Sequence, residues 1–498
     1  MKRRLSSLLI PVAVLVPSEL SCSSAGPDSE VPSGPEPAPP SGAASGVPEA
    51  PATPAETEMP AAEAPTAAGA GERLPDDIAL DEPEPAPPEQ PTPSAPPAEL
   101  TTPVPPVELR PLDCGPDGWA VENAGPPSNR VNYVILADGY DATSVNTTLE
   151  EHVRYALDRR FNHESGEPYG RYRKFVNICV MKVVSQTNGI GNGPTAFDGG
   201  NGGDRLARVN NQKVNAYLDA NLPETLEVDW RAVVLNQALW ENTGAATMLW
   251  SGANRDAPGA ALHEGGHGFH QLADEYCATG TGARCGPAAG DGDPVGDEFA
   301  EVNSSGDPAT TGGKWDLWLG SVQKGLKVPD QGATGVQGVF SGSRYLDTGQ
   351  YRPTSNSMMN SLFGDNVNTS FNSVSREQMI FSIWRAVRPI DSTDPPGGVV
   401  APEATSLTVH VVDPAVIDID WEIDGTLVAE KAGGRLNLAA AALTPGNHTI
   451  VARAYDNATE DLVRSRSGEC PDDVTGRYCH ATAWLNSMQA VEWTVTTP

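Results

Sequence analysis

Two histidines and a glutamate stand together in the run His263-Glu264-Gly265-Gly266-His267. On a helix, residues four apart lie one above the other on the same face. Both imidazoles can then reach one metal ion. A carboxylate directly after the first His is placed to take a proton from a water at that ion. The surrounding segment, Pro258 to Phe269, reads as a helix, with Pro at its start. The same short pattern also arises in ordinary amphipathic helices, where the His pair is merely buried or solvated. The neighbouring residues therefore have to decide.

A zinc site needs a third protein ligand and keeps its fourth position for water. Asp274 is the first candidate downstream. In an unbroken helix it would lie about 10 Å beyond His267 at roughly 1.5 Å per residue, too far for bonds of about 2 Å. The helix must therefore break so that Asp274 can fold back. Gly268 and the residues near His270 are the expected break, with His270 itself taking the left-handed conformation that His tolerates better than most residues. Glu275, Glu298 and Glu301 stand as alternative third ligands.

The longer run His263-Glu264-Gly265-Gly266-His267-Gly268-Phe269-His270-Gln271-Leu272-Ala273-Asp274-Glu275-Tyr276 resembles the bacterial IgA metallopeptidase family of metzincin-like zinc peptidases. The resemblance extends upstream to Val131–Tyr140, similar to a first strand ending in Asp-Gly-Tyr. Downstream it reaches Tyr351-Arg352-Pro353 and Ser357-Met358-Met359-Asn360, similar to a Met-containing turn. His270 stands where the family often has Gly. The resemblance implies zinc held by His263, His267 and Asp274, with Glu264 as general base. It also implies Met359, or alternatively Met358, packed beneath the site. An edge strand just before the helix would pair with an extended substrate; Gly244, Ala245, Ala246 and Thr247 are the candidates. Tyr345 and Tyr351 are candidates for holding the oxyanion, and no spacing chooses between them.

The elements that must position these residues follow from the pattern of apolar positions. Val131 to Leu136, Phe175 to Val184 and Ala232 to Asn236 read as strands, and Thr148 to Arg160 and Gln212 to Asn221 as helices. Their alternation predicts an α/β (α+β) catalytic domain, zincin/metzincin-like by the resemblance, over residues 111–394. Pro395-Pro396-Gly397-Gly398 reads as a linker. Beyond it, residues 395–498 show short alternating runs at regular spacing, with a turn signal at Asp424-Gly425. They predict a C-terminal Ig-like β-sandwich.

The N-terminus reads as an export signal. Lys2-Arg3-Arg4 precedes an apolar stretch, Leu5 to Val16, too short to span a bilayer. Ser18 to Ser24 is similar to a lipoprotein cleavage box with Cys22 as the lipid-bearing residue, although Glu19 sits where an aliphatic residue is usual. Residues 1–22 are thus a lipoprotein-type signal peptide. Residues 23–110 form a Pro/Ala/Glu-rich linker with no Phe, Trp or Tyr and with sixteen acidic residues against Arg73 and Arg110. Such a segment cannot bury enough apolar surface to offset its ordering entropy and is expected to be a disordered spacer. The implied location is the outer membrane or cell surface through the lipid on Cys22, otherwise the periplasm or exterior.

The formal net charge of −32 excludes nucleic acid as a partner. Asp291, Asp293, Asp297 and Glu298, and separately Asp198 and Asp204, offer oxygen clusters of the kind calcium takes, but none has the full loop spacing, and a solvated acidic loop is the preferred reading. Of the seven cysteines, six remain once Cys22 is set aside for lipid. Cys277 with Cys285, Cys470 with Cys479 and Cys114 with Cys179 are the preferred disulfides. Asp113-Cys114-Gly115 also faintly resembles the cysteine switch of some zinc proteases, in which a thiolate blocks the metal.

The function expected is an exported or surface-anchored zinc endopeptidase acting on proteins or peptides through a metal-activated water. The alternative is a catalytically silent, surface-anchored binding protein or adhesin on a peptidase scaffold. The intact Glu264 argues against that alternative, because a binder has no need of a base beside the metal. Lipid on Cys22 is the one anchor these residues suggest, so Cys22→Ser should move the protein from the membrane to the soluble exported fraction on cell fractionation; unchanged partitioning would show the box is not used.

Overall fold

A run of eight apolar-rich residues, Val-Asn-Tyr-Val-Ile-Leu-Ala-Asp, is buried along its whole length and forms the centre of the main sheet. Strands covered on both faces have this near-continuous apolar character. The computed structural model describes residues 100–201, 206–277, 288–290, 292–310, 313–326, 335–360, 369–464 and 486–498. Residues 1–99, on which the expected signal peptide, Cys22 and most of the expected linker fall, and Asp204, Cys285, Asp291, Cys470 and Cys479 lie outside the described residues.

The principal elements in chain order are β1 (Thr101–Thr102), β2 (Gly118–Glu122), β3 (Val131–Asp138), α1 (Leu149–Asn162), β4 (Val176–Met181), α2 (Asn211–Asn221), β5 (Trp230–Leu235), β6 (Met248–Ser251), α3 (Ala257–Gly268), β7 (Phe340–Ser343), β8 (Leu346–Arg352), α4 (Ser373–Ala386), β9 (Ile390–Asp394), β10 (Gly398–Val399), β11 (Ser406–Val411), β12 (Ile417–Ile423), β13 (Thr426–Ala429), β14 (Arg435–Asn437), β15 (Gly446–Asp456) and β16 (Met488–Thr497). The main sheet has the order β2-β4-β3-β5-β6. Strands β4, β3, β5 and β6 run parallel, and β2 is antiparallel to β4. The architecture is mixed α/β, and the expected strands and helices of the catalytic region are present to within a few residues.

Helix α3 carries the His-Glu-Gly-Gly-His run and is buried on nearly all sides. An aromatic stack holds it against the sheet. Trp230 stacks on Tyr133 with centroids 4.1 Å apart, and Tyr169 and Phe269 also stack on Trp230. The buried Arg160 of α1 lies 4.4 Å from the Trp230 centroid and donates to the Ala261 carbonyl of α3 at 2.5 Å. The ring faces thus take up part of the cation's field where water cannot.

The C-terminal part consists of two sheets, β1-β14-β11-β9 and β10-β16-β15-β12-β13, which share a core containing Leu407, Leu436, Trp421, Ile450 and Trp493. Asp424 and Gly425 make the expected tight turn, both with positive φ, between Ile423 and Thr426. Two boundaries differ from the sequence reading. Residues 100–110 were expected in the spacer. Instead Leu100 is buried and Thr101–Thr102 pair with Leu436 and Arg435 of β14. Strand β9 likewise belongs to the C-terminal sheets, although it precedes Pro395. Both C-terminal sheets and the main sheet fall in one compact unit, Glu89–Pro498. Within it, Arg130 pairs with Asp391 at 2.7 Å, and buried Asp456 accepts from Arg171 at 2.6 Å and from the Tyr172 hydroxyl at 2.5 Å.

A disulfide joins Cys114 to Cys179 of β4, with Cα atoms 5.6 Å apart. Cys114 is therefore no free thiol, and the cysteine-switch alternative is overturned. Cys277 is also disulfide-bonded.

The buried Leu100 gives the N-terminal strand measurable weight. Leu100→Ala should lower unfolding stability by about 2–5 kcal/mol in a denaturant titration, the usual range for truncating a buried Leu; a solvated spacer residue would show no loss.

Candidate metal centre and catalytic cleft

Helix α3 presents His263 and His267 on one face, their rings edge-to-face with centroids 4.7 Å apart. Each ring is oriented by a bond on its far side. His263 Nδ1 meets the Met358 carbonyl at 2.9 Å, and His267 Nδ1 meets the Leu272 carbonyl at 2.7 Å. A carbonyl only accepts, so both Nδ1 atoms carry the proton and both Nε2 atoms are left to face inward.

The helix ends where the chain must turn back, but the left-handed residue is Gln271, with φ 58°, rather than His270. The Gln271 N–H donates to the His267 carbonyl at 3.1 Å, and the Leu272 N–H donates to that of Gly266 at 2.9 Å. The first of these bonds closes the helix in the αL manner. The turn falls one residue late because the side chain of His270 is locked inside. It has no exposed surface, its Nε2 lies 2.5 Å from the Tyr169 hydroxyl, and its carbonyl accepts from Gln378. Burial pushes the His270 imidazole well below its ordinary pKa, so it stays neutral.

The turn returns Asp274 to the histidines. Its Oδ1 lies 3.0 Å from His263 Nε2 and 3.1 Å from His267 Nε2, and the two Nε2 atoms are 3.1 Å apart. Three ligand atoms of the types zinc takes thus converge on one point. Among the described residues this is the one cluster of His, Cys, Asp or Glu close enough to hold a metal ion. Its electrostatics favour a cation. Burial lowers the pKa of His267, but the carboxylates of Asp274 and Glu264 outweigh burial and raise it to about 9. Burial would raise the Asp274 carboxyl, and the facing imidazoles hold it well below the usual range.

The alternative ligands are engaged elsewhere. Glu298 pairs with Lys314 and accepts from the Gly306 N–H, and Glu301 pairs with Arg344 at 2.5 Å. Glu275 is fully buried and points away from the histidines. Its Oε1 accepts from Asn303 at 2.9 Å and Asn372 at 2.8 Å, and its Oε2 accepts from Ser357 at 2.6 Å. Its own N–H donates to the Met359 carbonyl at 2.7 Å. Asn303 also brackets Ala273, accepting from its N–H and donating to its carbonyl. Glu275 and Asn303 therefore clamp the segment that carries Asp274. No spacing in the sequence marks Asn303.

Met359 packs against the helix at Gly266. A Cβ on Gly266 would stand 2.6 Å from its sulfur, so the helix needs Gly there for the Met to fit. Met358 contributes its backbone carbonyl to His263 instead. Of the two tyrosines, Tyr351 is buried with its hydroxyl on the Pro294 carbonyl, whereas the Tyr345 hydroxyl reaches Asp274.

Gly244–Thr247 are not a strand. They form a loop closed by an antiparallel bridge between Thr243 and Leu249, and the edge strand is β6, Met248–Ser251, parallel to β5. The strand-forming signal of Thr247 to Trp250 begins after the loop, not with it. Gly244 nevertheless borders the site. A Cβ there would lie 2.5 Å from His267 Cβ and 2.8 Å from Glu264 Oε2. Gly244 and His267 line a pocket of about 260 Å³ with Leu272, Val302, Glu301 and Gln378.

The calcium suggestion finds no support: Asp198 pairs with exposed Lys213, and Glu298 with Lys314.

Residues 120–331 match the model of the family described as IgA Peptidase M64. That region is similar to the family, and the match indicates a metallopeptidase, a peptide-bond hydrolase. The match spans β3, helix α3, Asp274 and Glu275, and it stops before the hairpin that carries Tyr345 and before the Met turn. No curated protein matches the chain. The M64 region thus includes the whole convergent cluster, and the geometry of His263, His267 and Asp274 fits the metal that a metallopeptidase requires.

The contact of Gly244 with the motif generates a test. Gly244→Ala must push His267 or the loop aside, and misplacement of about 1 Å costs on the order of 100-fold in rate. A loss of about 10–100-fold in peptide cleavage is expected, with an unchanged melting profile, measured on purified protein.

Proposed function

We propose that the chain is a zinc-dependent endopeptidase of the metzincin-like type, exported and held at the cell surface through Cys22. The single observation that carries the catalytic part is the convergence of His263 Nε2, His267 Nε2 and Asp274 Oδ1 beside the carboxylate of Glu264. His263, His267 and Asp274 would hold the ion. Bound there, zinc supplies a Lewis acid that makes a water acidic and polarises a carbonyl.

Glu264 performs the proton work. It is 8% exposed, and burial raises its pKa above the ordinary carboxyl value. Its carboxylate has no hydrogen-bond partner among the described residues, so it is free to engage water. One carboxylate oxygen takes a proton from the attacking water as the new C–O bond forms. The same proton then passes to the leaving amine nitrogen as the C–N bond breaks. The Gly244–Thr247 loop and the adjoining pocket line the path of an extended polypeptide.

In this reading the two C-terminal sheets are an Ig-like sandwich that serves as spacer or docking module, a reading supported by their shared core. The acidic N-terminal linker suits a tether that stands the enzyme off a membrane. Immunoglobulin A, named in the family's description, is a natural first substrate to try.

Glu264→Gln separates proton transfer from metal holding, since it keeps the side chain's shape and removes the basic oxygen. The variant should retain zinc by elemental analysis and lose on the order of 10²–10⁴ in cleavage of casein or immunoglobulin. A zinc-loaded variant that cleaves as fast as the parent would overturn the assignment of the base and favour a non-catalytic role.

A further inference from the structure

Strands β7 and β8 are joined by a two-residue turn, Arg344-Tyr345, with Ser343 paired to Leu346. Both turn residues have positive φ, 50° and 65°. Turns of this kind ordinarily take Asn or Gly, because a side chain in the left-handed region meets steric resistance. Non-glycine residues persist in such conformations where the surroundings over-determine them, often at functional sites.

The surroundings here are the metal centre. The Arg344 N–H donates to the Asp274 carbonyl at 2.9 Å, and the Tyr345 N–H donates to that of Tyr276 at 2.9 Å. Ser343 Oγ donates to the Asp274 carbonyl at 3.2 Å. The Arg344 guanidinium pairs with Glu301 and lies 4.0 Å from the Phe299 ring centroid. These ties direct the Tyr345 hydroxyl onto the outer oxygen of Asp274, Oδ2, at 2.5 Å, although the residue is 55% exposed. The Tyr276 hydroxyl donates in turn to that of Tyr345 at 3.1 Å. Because Tyr345 accepts from Tyr276, its own proton is committed to Asp274.

The two oxygens of Asp274 are therefore divided. Oδ1 faces both histidine nitrogens and Oδ2 is held by a phenol. A carboxylate with both oxygens free can chelate a metal and fill the position that a catalytic site must keep open. We propose that Tyr345 is a positioning residue that restricts Asp274 to a single metal-facing oxygen. The proposal rests on the reading of Asp274 as the third ligand. Tyr345 touches the ligand rather than the reacting atoms, and the Tyr276 hydroxyl supports it from behind.

The test is metal binding and the spectrum of the cobalt(II)-substituted protein, with zinc affinity measured against a competing chelator. Partners that orient a metal ligand typically contribute 10- to 100-fold to affinity. Tyr345→Phe keeps the ring and removes the donor. It should weaken zinc by about that factor and shift the cobalt absorption towards the weaker bands of a five-coordinate ion. Tyr276→Phe, which leaves the Tyr345 hydroxyl in place, should move both readouts the same way by less, and it serves if the first variant does not fold. A purely structural role would lower the melting temperature and leave the cobalt bands as they were. If Asp274→Ala abolishes zinc binding while the tyrosine variants change neither affinity nor spectrum, the proposal is overturned and the ligand assignment stands. If Asp274→Ala retains zinc, the ligand assignment fails and the proposal with it.

Discussion

A helix cannot carry a third ligand back to its own face. That constraint shapes the whole site. His263 and His267 come together through helical spacing alone, but Asp274 requires the chain to stop, reverse and be held in reverse. The stop is the left-handed Gln271. The hold is a buried carboxylate, Glu275, which gathers Asn303, Asn372 and Ser357 around itself and so joins the returning segment to the Met turn and to the start of α4. A carboxylate without water is costly, and burial raises its pKa. Three donors offset that cost, and they come from segments far apart in the chain. One side chain thus makes the arrangement of three distant pieces interdependent.

The same logic governs the packing of the helix. Its glycines are poor helix formers, each about 1 kcal/mol less favourable than Ala. The structure shows what they permit: Met359 against Gly266, and the rim of the Trp230 ring against Gly265. Local stability is given up so that a sulfur and an indole can approach the backbone beneath the histidines. Arg160, held among aromatic faces and bonded to Ala261, then fixes the helix from the opposite side.

These origins explain what the sequence made legible. His263, Glu264 and His267 depend on spacing within one helix, and the central strands depend on unbroken apolar runs, so both were readable. Asp274 required the family resemblance, since nothing in its spacing excludes Glu275. The turn was placed at His270 because His tolerates the left-handed region. The preference was sound locally, but a buried bond to Tyr169 moved the turn to Gln271. Residues 100–110 read as spacer because their composition is that of the segment before them. Their pairing partner, β14, lies more than 300 residues away and leaves no local trace. Asn303 is invisible for the same reason: its value lies in where the fold puts it. That the Tyr345 hydroxyl, and not that of Tyr351, reaches Asp274 likewise depends on the Arg344-Tyr345 turn, whose left-handed conformation neither Arg nor Tyr favours.

The N-terminal strand has a mechanical consequence. A chain tethered upstream of Thr101 would transmit any pull first to the two-residue pairing of β1 with β14, at the edge of a C-terminal sheet. So short a pairing peels easily. The next covalent fixed point along the chain is Cys114, bonded to Cys179 in the strand beside the central β3. Drag on the tether would thus unfasten an outer strand and then come to rest on a sulfur–sulfur bond at the catalytic sheet. Helix α3 and its histidines belong to neither the β1–β14 pairing nor that disulfide, so such a pull would reach the cleft only through the sheet.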